Sequence, residues 1–131
     1  MSASPWVDPR RAPGEAFLDA LAARDFDRLE SLLSPAVRFR ALIPPGVEEE
    51  REASRAVGHL RNWFGDAGAF RVVHREVARV ADRVRLSYRI RLHTAKGERI
   101  VEQHAFLRVT NDEICAVDIL CSGFRPDLSD D

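Results

Sequence analysis

A chain of 131 residues with 45% apolar and 31% charged composition is one domain's length, enough to bury a core. Its formal net charge of −1 excludes the concentrated positive surface that nucleic-acid binding needs. No run of 18 apolar residues exists to cross a membrane, and residues 1–14 lack the apolar segment of a secretory signal, so the expectation is no membrane and a cytoplasmic location.

Pro5, Pro9 and Pro13, with Arg10 and Arg11, make residues 1–13 read as a flexible arm, whose Trp6 is free to tuck onto the body or a partner. Residues 15–23 read as a helix with Phe17, Leu18 and Leu21 on one side. Arg24-Asp25 breaks it, and Asp25 suits the N-cap of a second short helix with Phe26, Leu29, Leu32 and Leu33 as its buried stripe. Ser34-Pro35 ends that helix, because the residue before proline avoids the helical region. Residues 37–42 then read as a short strand and Pro44-Pro45-Gly46 as a turn. Glu48, Glu49, Glu50 and Glu52 are expected at the start of a third helix, where the macrodipole favours negative charge. Ala53, Val57, Leu60 and Phe64 repeat at helical spacing before Gly65.

The remainder reads as four long strands at 70–80, 83–94, 98–110 and 114–124, with turns at Asp82, Lys96-Gly97 and Asn111-Asp112. In the second of these, Val84, Leu86, Tyr88, Ile90 and Leu92 alternate with Arg83, Arg85, Ser87, Arg89, Arg91 and His93. That period of two predicts a strand with one buried face and one charged face. The layout is α+β: a curved antiparallel sheet forming a cone, covered by three N-terminal helices. A single domain is expected over 14–125, with 126–131 as a frayed acidic tail.

The segment Phe17-Leu18-Asp19-Ala20-Leu21-Ala22-Ala23-Arg24-Asp25-Phe26-Asp27, then Leu32-Leu33-Ser34-Pro35-Ala36-Val37, the helix leading to Trp63-Phe64, and Phe106-Leu107-Arg108-Val109 before the last turn with Ile114 after it resemble the nuclear transport factor two-like superfamily. This group, with a cystatin-like cone, includes the SnoaL-like polyketide cyclases, ketosteroid isomerases and limonene epoxide hydrolases. The resemblance spans residues 15–124 and is specific for fold, since one fold serves many chemistries. It implies active groups inside the cone. Where the isomerases have an acidic base near the end of the first strand, this chain has Arg40. Where the hydrolases have an arginine-aspartate pair and a further aspartate, it has Gln103, Ala105 and Ile119. Both chemistries lack their carboxylates. Members also commonly pair their sheets as dimers.

A two-residue loop at Lys96-Gly97 would set Tyr88 opposite Ala105, Ile90 opposite Gln103 and Arg91 opposite Glu102. Inside the cone this leaves Leu86, Tyr88, Ile90, Val101, Gln103, Ala105 and Leu107, either lining a pocket for a small hydrophobic molecule or simply filling the core. Trp63 is expected to close the base. Asp118 interrupts an apolar strand. A two-residue turn at Asn111-Asp112 places it inside beside Tyr88, where it would act as general acid or base. A three-residue turn flips it outward to the arginine face. Arg38 and Arg40 either reach the cone mouth to hold a ligand or pair with the acids at 48–52. His104 falls on the arginine side of its strand as a surface, interface or active group.

Cys115 and Cys121 would lie roughly 20 Å apart along one strand at ~3.3 Å per residue, too far for a disulfide, and are expected as free thiols. His59, His74, His93 and His104 show no metal-ligand spacing, so neither metal nor cofactor is expected. The expected function is a small-molecule-binding domain, either a cofactor-free acid-base enzyme using Asp118 and Tyr88 or a non-catalytic ligand-binding or dimerising module. A homodimer through the sheet is the expected partner in either case.

Overall fold

Apolar residues at helical spacing build three helices, and each turns its stripe to one sheet. A computed structural model describes residues 11–128. Helix α1 spans Arg11–Ala22, α2 Phe26–Leu32 and α3 Ala53–Phe64. Helix α1 therefore starts inside the expected arm: Arg11, Ala12 and Pro13 are its first turn, a position that suits proline. The rest of the arm, with Trp6, lies outside the described residues. Asp25 does cap α2, accepting the Arg28 backbone N–H at 3.1 Å. Helix α1 crosses the sheet so closely that a Cβ on Gly14 would lie 3.0 Å from the Val84 Cγ1.

The strands are β1 Leu33–Ile43, β2 Gly46–Glu50, β3 Phe70–Val80, β4 Arg83–Thr94, β5 Gly97–Thr110, β6 Glu113–Cys121 and β7 Arg125–Pro126. They form one curved, open sheet in the order β2-β1-β6-β5-β4-β3, with β7 paired to β5. All described pairings are antiparallel except β1 with β6, which run parallel because the long β3–β5 meander separates them in sequence. The Glu48 to Glu50 run is strand β2, not the start of α3. It zips onto β1, with Phe39 opposite Glu50 and Leu42 opposite Val47. The tail is also partly ordered: β7 pairs with Arg99 and Ile100, and the Asp127 N–H donates to the Glu98 carbonyl at 3.1 Å.

The core lies between helices and sheet. Phe17, Leu18, Leu21, Leu29, Val57, Leu60 and Phe64 meet Val37, Phe39, Ala41, Leu86, Ile90, Leu92, Leu107 and Ile119 in one buried cluster. Arg24 ties the end of α3 to the body by donating to the carbonyls of Phe64, Ala67 and Gly68 at 3.2, 2.7 and 3.4 Å. Among the described residues no helix is long and apolar enough to cross a membrane.

Candidate functional site

Two hairpin registers decide what the inner face presents. The β4–β5 turn is Ala95-Lys96, so Thr94 pairs with Gly97, and Gly97 enters its strand at φ +106°. Every expected pair across this hairpin is shifted. Tyr88 faces Gln103, not Ala105, and Ile90 faces Val101. Arg89, not Arg91, faces Glu102 and donates to it at 2.9 Å, which holds the Glu102 carboxyl below its usual range. The shift preserves parity, so the inward set Leu86, Tyr88, Ile90, Val101, Gln103, Ala105 and Leu107 is the expected one.

The polar centre of that set is a short relay. The Tyr88 hydroxyl donates to Gln103 Oε1 at 2.6 Å. The Gln103 amide donates to Cys121 Sγ at 3.3 Å, and the Gly123 N–H reaches the same sulfur at 3.4 Å. Tyr88 and Gln103 are fully buried, and Cys121 lies partly open at the end of β6. Burial pushes the Tyr88 hydroxyl far above its ordinary range, and the nearby Cys121 adds to the rise. Tyr88 is thus a permanent donor. Its folded pKa exceeds the unfolded one, so its contribution to stability is complete below about pH 10 and is lost as pH rises further. As the chain has one tyrosine, absorbance at 295 nm should show no tyrosinate in alkali until circular dichroism reports unfolding. Tyrosinate forming in the folded chain would contradict the closed relay.

Leu86, Ile90, Ala105 and Leu107 are as buried as Tyr88 and belong to the packed core. Of the two expected arrangements, lining a pocket or filling the core, they take the second. The partly buried rim is aromatic instead. Trp63 lies 6.1 Å from Phe64, and Phe64 meets Phe70 and Phe124 at 5.5 and 6.0 Å. His59 stacks on Phe39 at 5.8 Å, lies 6.2 Å from Trp63, and sets Nε2 2.8 Å from the Glu50 carboxylate. Sequence reasoning passed over this His59–Glu50 pair. Its signal was present: His59 and Trp63 stand four apart on one helix face, and Glu48 and Glu50 alternate on one strand face.

Asp118 is not inside. The Asn111-Asp112 turn has two residues, both at positive φ as a tight hairpin requires, and Thr110 pairs with Glu113. A bulge follows: Val109 pairs with Ile114 but Arg108 with Ala116, leaving Cys115 over. The extra residue flips the phase, so Ile114, Val117 and Ile119 enter the core while Ala116, Asp118 and Leu120 face out. Asp118 is held there by Arg38 at 3.2 Å and Arg40 at 2.8 Å. Arg40 also stands opposite Glu49 in the β1–β2 register, but both arginines make their ion pairs with Asp118 on the outer face and not with the acids at 48–52. Asp118 and Tyr88 stand on opposite faces of the sheet. His104 is also outside, 2.9 Å from the Ser87 hydroxyl.

The same outer face carries an apolar patch. Leu42 is the register partner of both Val47 and Leu120, and the three are 50%, 59% and 50% exposed. With Arg40, Glu49 and Asp118 at their edge they line a groove of about 390 Å³. Contiguous exposed apolar residues rimmed by charge mark an interaction surface. Both cysteines are free thiols, and no cluster of three metal-ligating side chains occurs among the described residues.

Residues 15–117 match the SnoaL-like domain. A putative polyketide cyclase from Pseudomonas putida superposes with a TM-score of 0.70 at 17% identity, covering 86% of this chain and 91% of that one. An LEH-like epoxide hydrolase of Mycobacterium tuberculosis gives 0.64 at 18% identity, covering 86% and 82%. An NTF2-like protein of unknown function from Burkholderia pseudomallei gives 0.70 at 13% identity, covering 86% and 90%. At these identities the likeness is one of fold. No curated protein sequence matches the chain.

Proposed function

Since the chain belongs to the SnoaL-like domain family, we propose that it is a small-molecule-binding module of that fold, working without an interior carboxylate and pairing with a second copy through its outer sheet face. One observation carries this reading. Gln103, Ala105 and Ile119 meet at mid-sheet on the inner face and offer an amide, a methyl and an alkyl group where the resemblance implies an arginine and two aspartates. The group best placed to be a carboxylate there, Asp118, is bound to two arginines on the other side.

A ligand would enter at the aromatic rim, displacing Trp63 and Phe124, and set its polar atom against the Gln103 amide and the Tyr88 hydroxyl. Leu86, Ile90, Ala105 and Leu107, closely packed in the unliganded chain, would part to take its apolar body. That chemistry favours a small, mostly apolar molecule with a single hydrogen-bonding group. Two unoxidised cysteines suit the cytoplasm. Outside, Arg40 and Asp118 would rim the dimer contact around Leu42 and Leu120.

The His59–Glu50 pair favours a second reading. A carboxylate-oriented imidazole beside Trp63 is the arrangement of a general base, and it would move acid-base chemistry from the interior to the rim.

The test is a titration of the Trp6→Phe chain with 2-naphthol and 2-decalone, reading Trp63 fluorescence. Saturable quenching that weakens about tenfold in Gln103→Leu is expected, from loss of one buried hydrogen bond. Quenching unchanged by that substitution would remove Gln103 from the site. Turnover of an added ketone or epoxide that is lost in His59→Asn and kept in Asp118→Asn would replace this reading with the second.

A further inference from the structure

Cys121 closes β6 opposite Gln103. One residue on, the Ser122 N–H donates to the Glu102 carbonyl at 2.9 Å, and the Glu102 N–H donates back to Ser122 Oγ at 2.9 Å. Strand β7 then takes up the same edge of β5 one step out of phase, with Arg125 opposite Ile100. Gly123 and Phe124 thus stand against Val101 alone, which makes a bulge. Gly123 holds φ +81° there. A Cβ on it would meet nothing nearer than 3.7 Å, so backbone conformation and not crowding calls for glycine.

The bulge turns Phe124 onto the helix side of the sheet. Its ring lies 6.0 Å from Phe64, which also meets Trp63 at 6.1 Å and Phe70 at 5.5 Å. Phe124 is partly buried against the core, while Ser122, Arg125 and Pro126 are exposed. The segment that carries it is lightly held. Strand β7 is two residues long, and beyond it the Asp127 N–H reaches the Glu98 carbonyl at 3.1 Å and its carboxylate lies 3.4 Å from Arg91 Nε. Few buried side chains and a short exposed ladder mark a segment that opens without global unfolding.

We propose that residues 124–127 form a strap over the inner face, hinged at Gly123, with Phe124 as its plug. The strap lifts, Phe124 leaves Phe64, and the aromatic ring of a ligand takes its seat. This rests on the small-molecule reading above and narrows it to ligands that carry an aryl group. A phenyl ring already fills the seat, and aromatic neighbours favour a flat ring in tilted or edge contact over a saturated one. The closed strap lowers the apparent affinity, because only the open fraction of molecules binds.

The experiment titrates the Trp6→Phe chain, and the same chain with Phe124→Ala or Gly123→Ala, with 2-naphthol and 2-decalone, reading Trp63 fluorescence. Amide hydrogen exchange follows the strap, and circular dichroism checks each fold. Phe124→Ala should tighten 2-naphthol about tenfold or more and 2-decalone less than about threefold, as the internal competitor is gone. Gly123→Ala leaves the plug in place and strains the closed hinge, so it should tighten 2-naphthol about threefold or more. Saturating 2-naphthol should speed exchange of the Asp127 N–H about tenfold and leave that of Ser122, before the hinge, unchanged. Quenching of equal affinity in the parent and both variants, or Asp127 exchange that bound 2-naphthol leaves unchanged or slows, overturns the strap and leaves the small-molecule reading standing. An equal gain for 2-decalone overturns the aryl assignment. Absence of quenching in all three chains removes the small-molecule reading and the strap together.

Discussion

Tyr88→Phe is expected to lower the unfolding free energy by about 1–3 kcal/mol, because Gln103 Oε1 is left buried without its donor. Gln103→Leu alone should cost a similar amount by stranding the Tyr88 hydroxyl, since leucine nearly conserves volume and the lost partner is the main change. The double variant Tyr88→Phe/Gln103→Leu removes both polar atoms together. It should therefore be more stable than the sum of the single losses predicts, by about 1–2 kcal/mol. Urea unfolding of the four proteins, with unchanged m-values, measures this coupling. Strictly additive losses would show that the hydroxyl and amide do not depend on one another, and the relay at the centre of the site would have no energetic meaning. Cys121→Ala adds a control: it removes only the weak sulfur acceptor and should cost less than either change at the Tyr88–Gln103 contact.

The double substitution Leu42→Glu/Leu120→Glu is expected to turn the proposed dimer into a monomer, raising the dissociation constant about 100-fold or more. Two carboxylates would replace the centre of the exposed apolar patch and sit beside Glu49 and Asp118, so each meets like charge as well as lost burial. Both side chains are about half exposed in the single chain, so its fold should survive, and circular dichroism checks that. Sedimentation equilibrium reads the outcome. A wild-type chain that stays monomeric at concentrations near 100 µM, far above a typical specific affinity, would remove the dimer from the functional reading. So would a variant that associates as tightly as the wild type.

The helices and long strands were legible because their apolar periods are undisturbed. Phe17, Leu18 and Leu21 mark one helix face, and the alternation from Arg83 to His93 marks one strand with its faces assigned. The free thiols followed from spacing alone. The partners were not legible. Moving the β4–β5 turn from Lys96-Gly97 to Ala95-Lys96 leaves every side chain on its expected face, so pattern cannot detect the move, yet it replaces Ala105 by Gln103 opposite Tyr88. The polar relay that defines the candidate site exists only in the true register.

Asp118 shows the sharper limit. Residues 114–121 carry apolar side chains on both faces, so neither phase is excluded by burial pattern. The turn length alone pointed inward, and the bulge at Cys115 reversed it. Strand β2 was hidden for a related reason. Four glutamates suit a helix start by local electrostatics, and Glu52 does stand there, just before α3, but the pairing of Glu48, Glu49 and Glu50 with β1 is a long-range gain that no local rule contains.

By itself the amino-acid order determined the α+β layout and the inward identity of Tyr88 and Gln103, because hydrophobic periodicity acts over a few neighbouring residues. Tertiary structure alone decided that the interior is packed, that Asp118 joins Arg38 and Arg40 outside, and that His59 meets Glu50. Each of these contacts joins residues on different elements through strand register, a bulge or a helix packing on a strand, and register is set by the summed burial of the whole sheet.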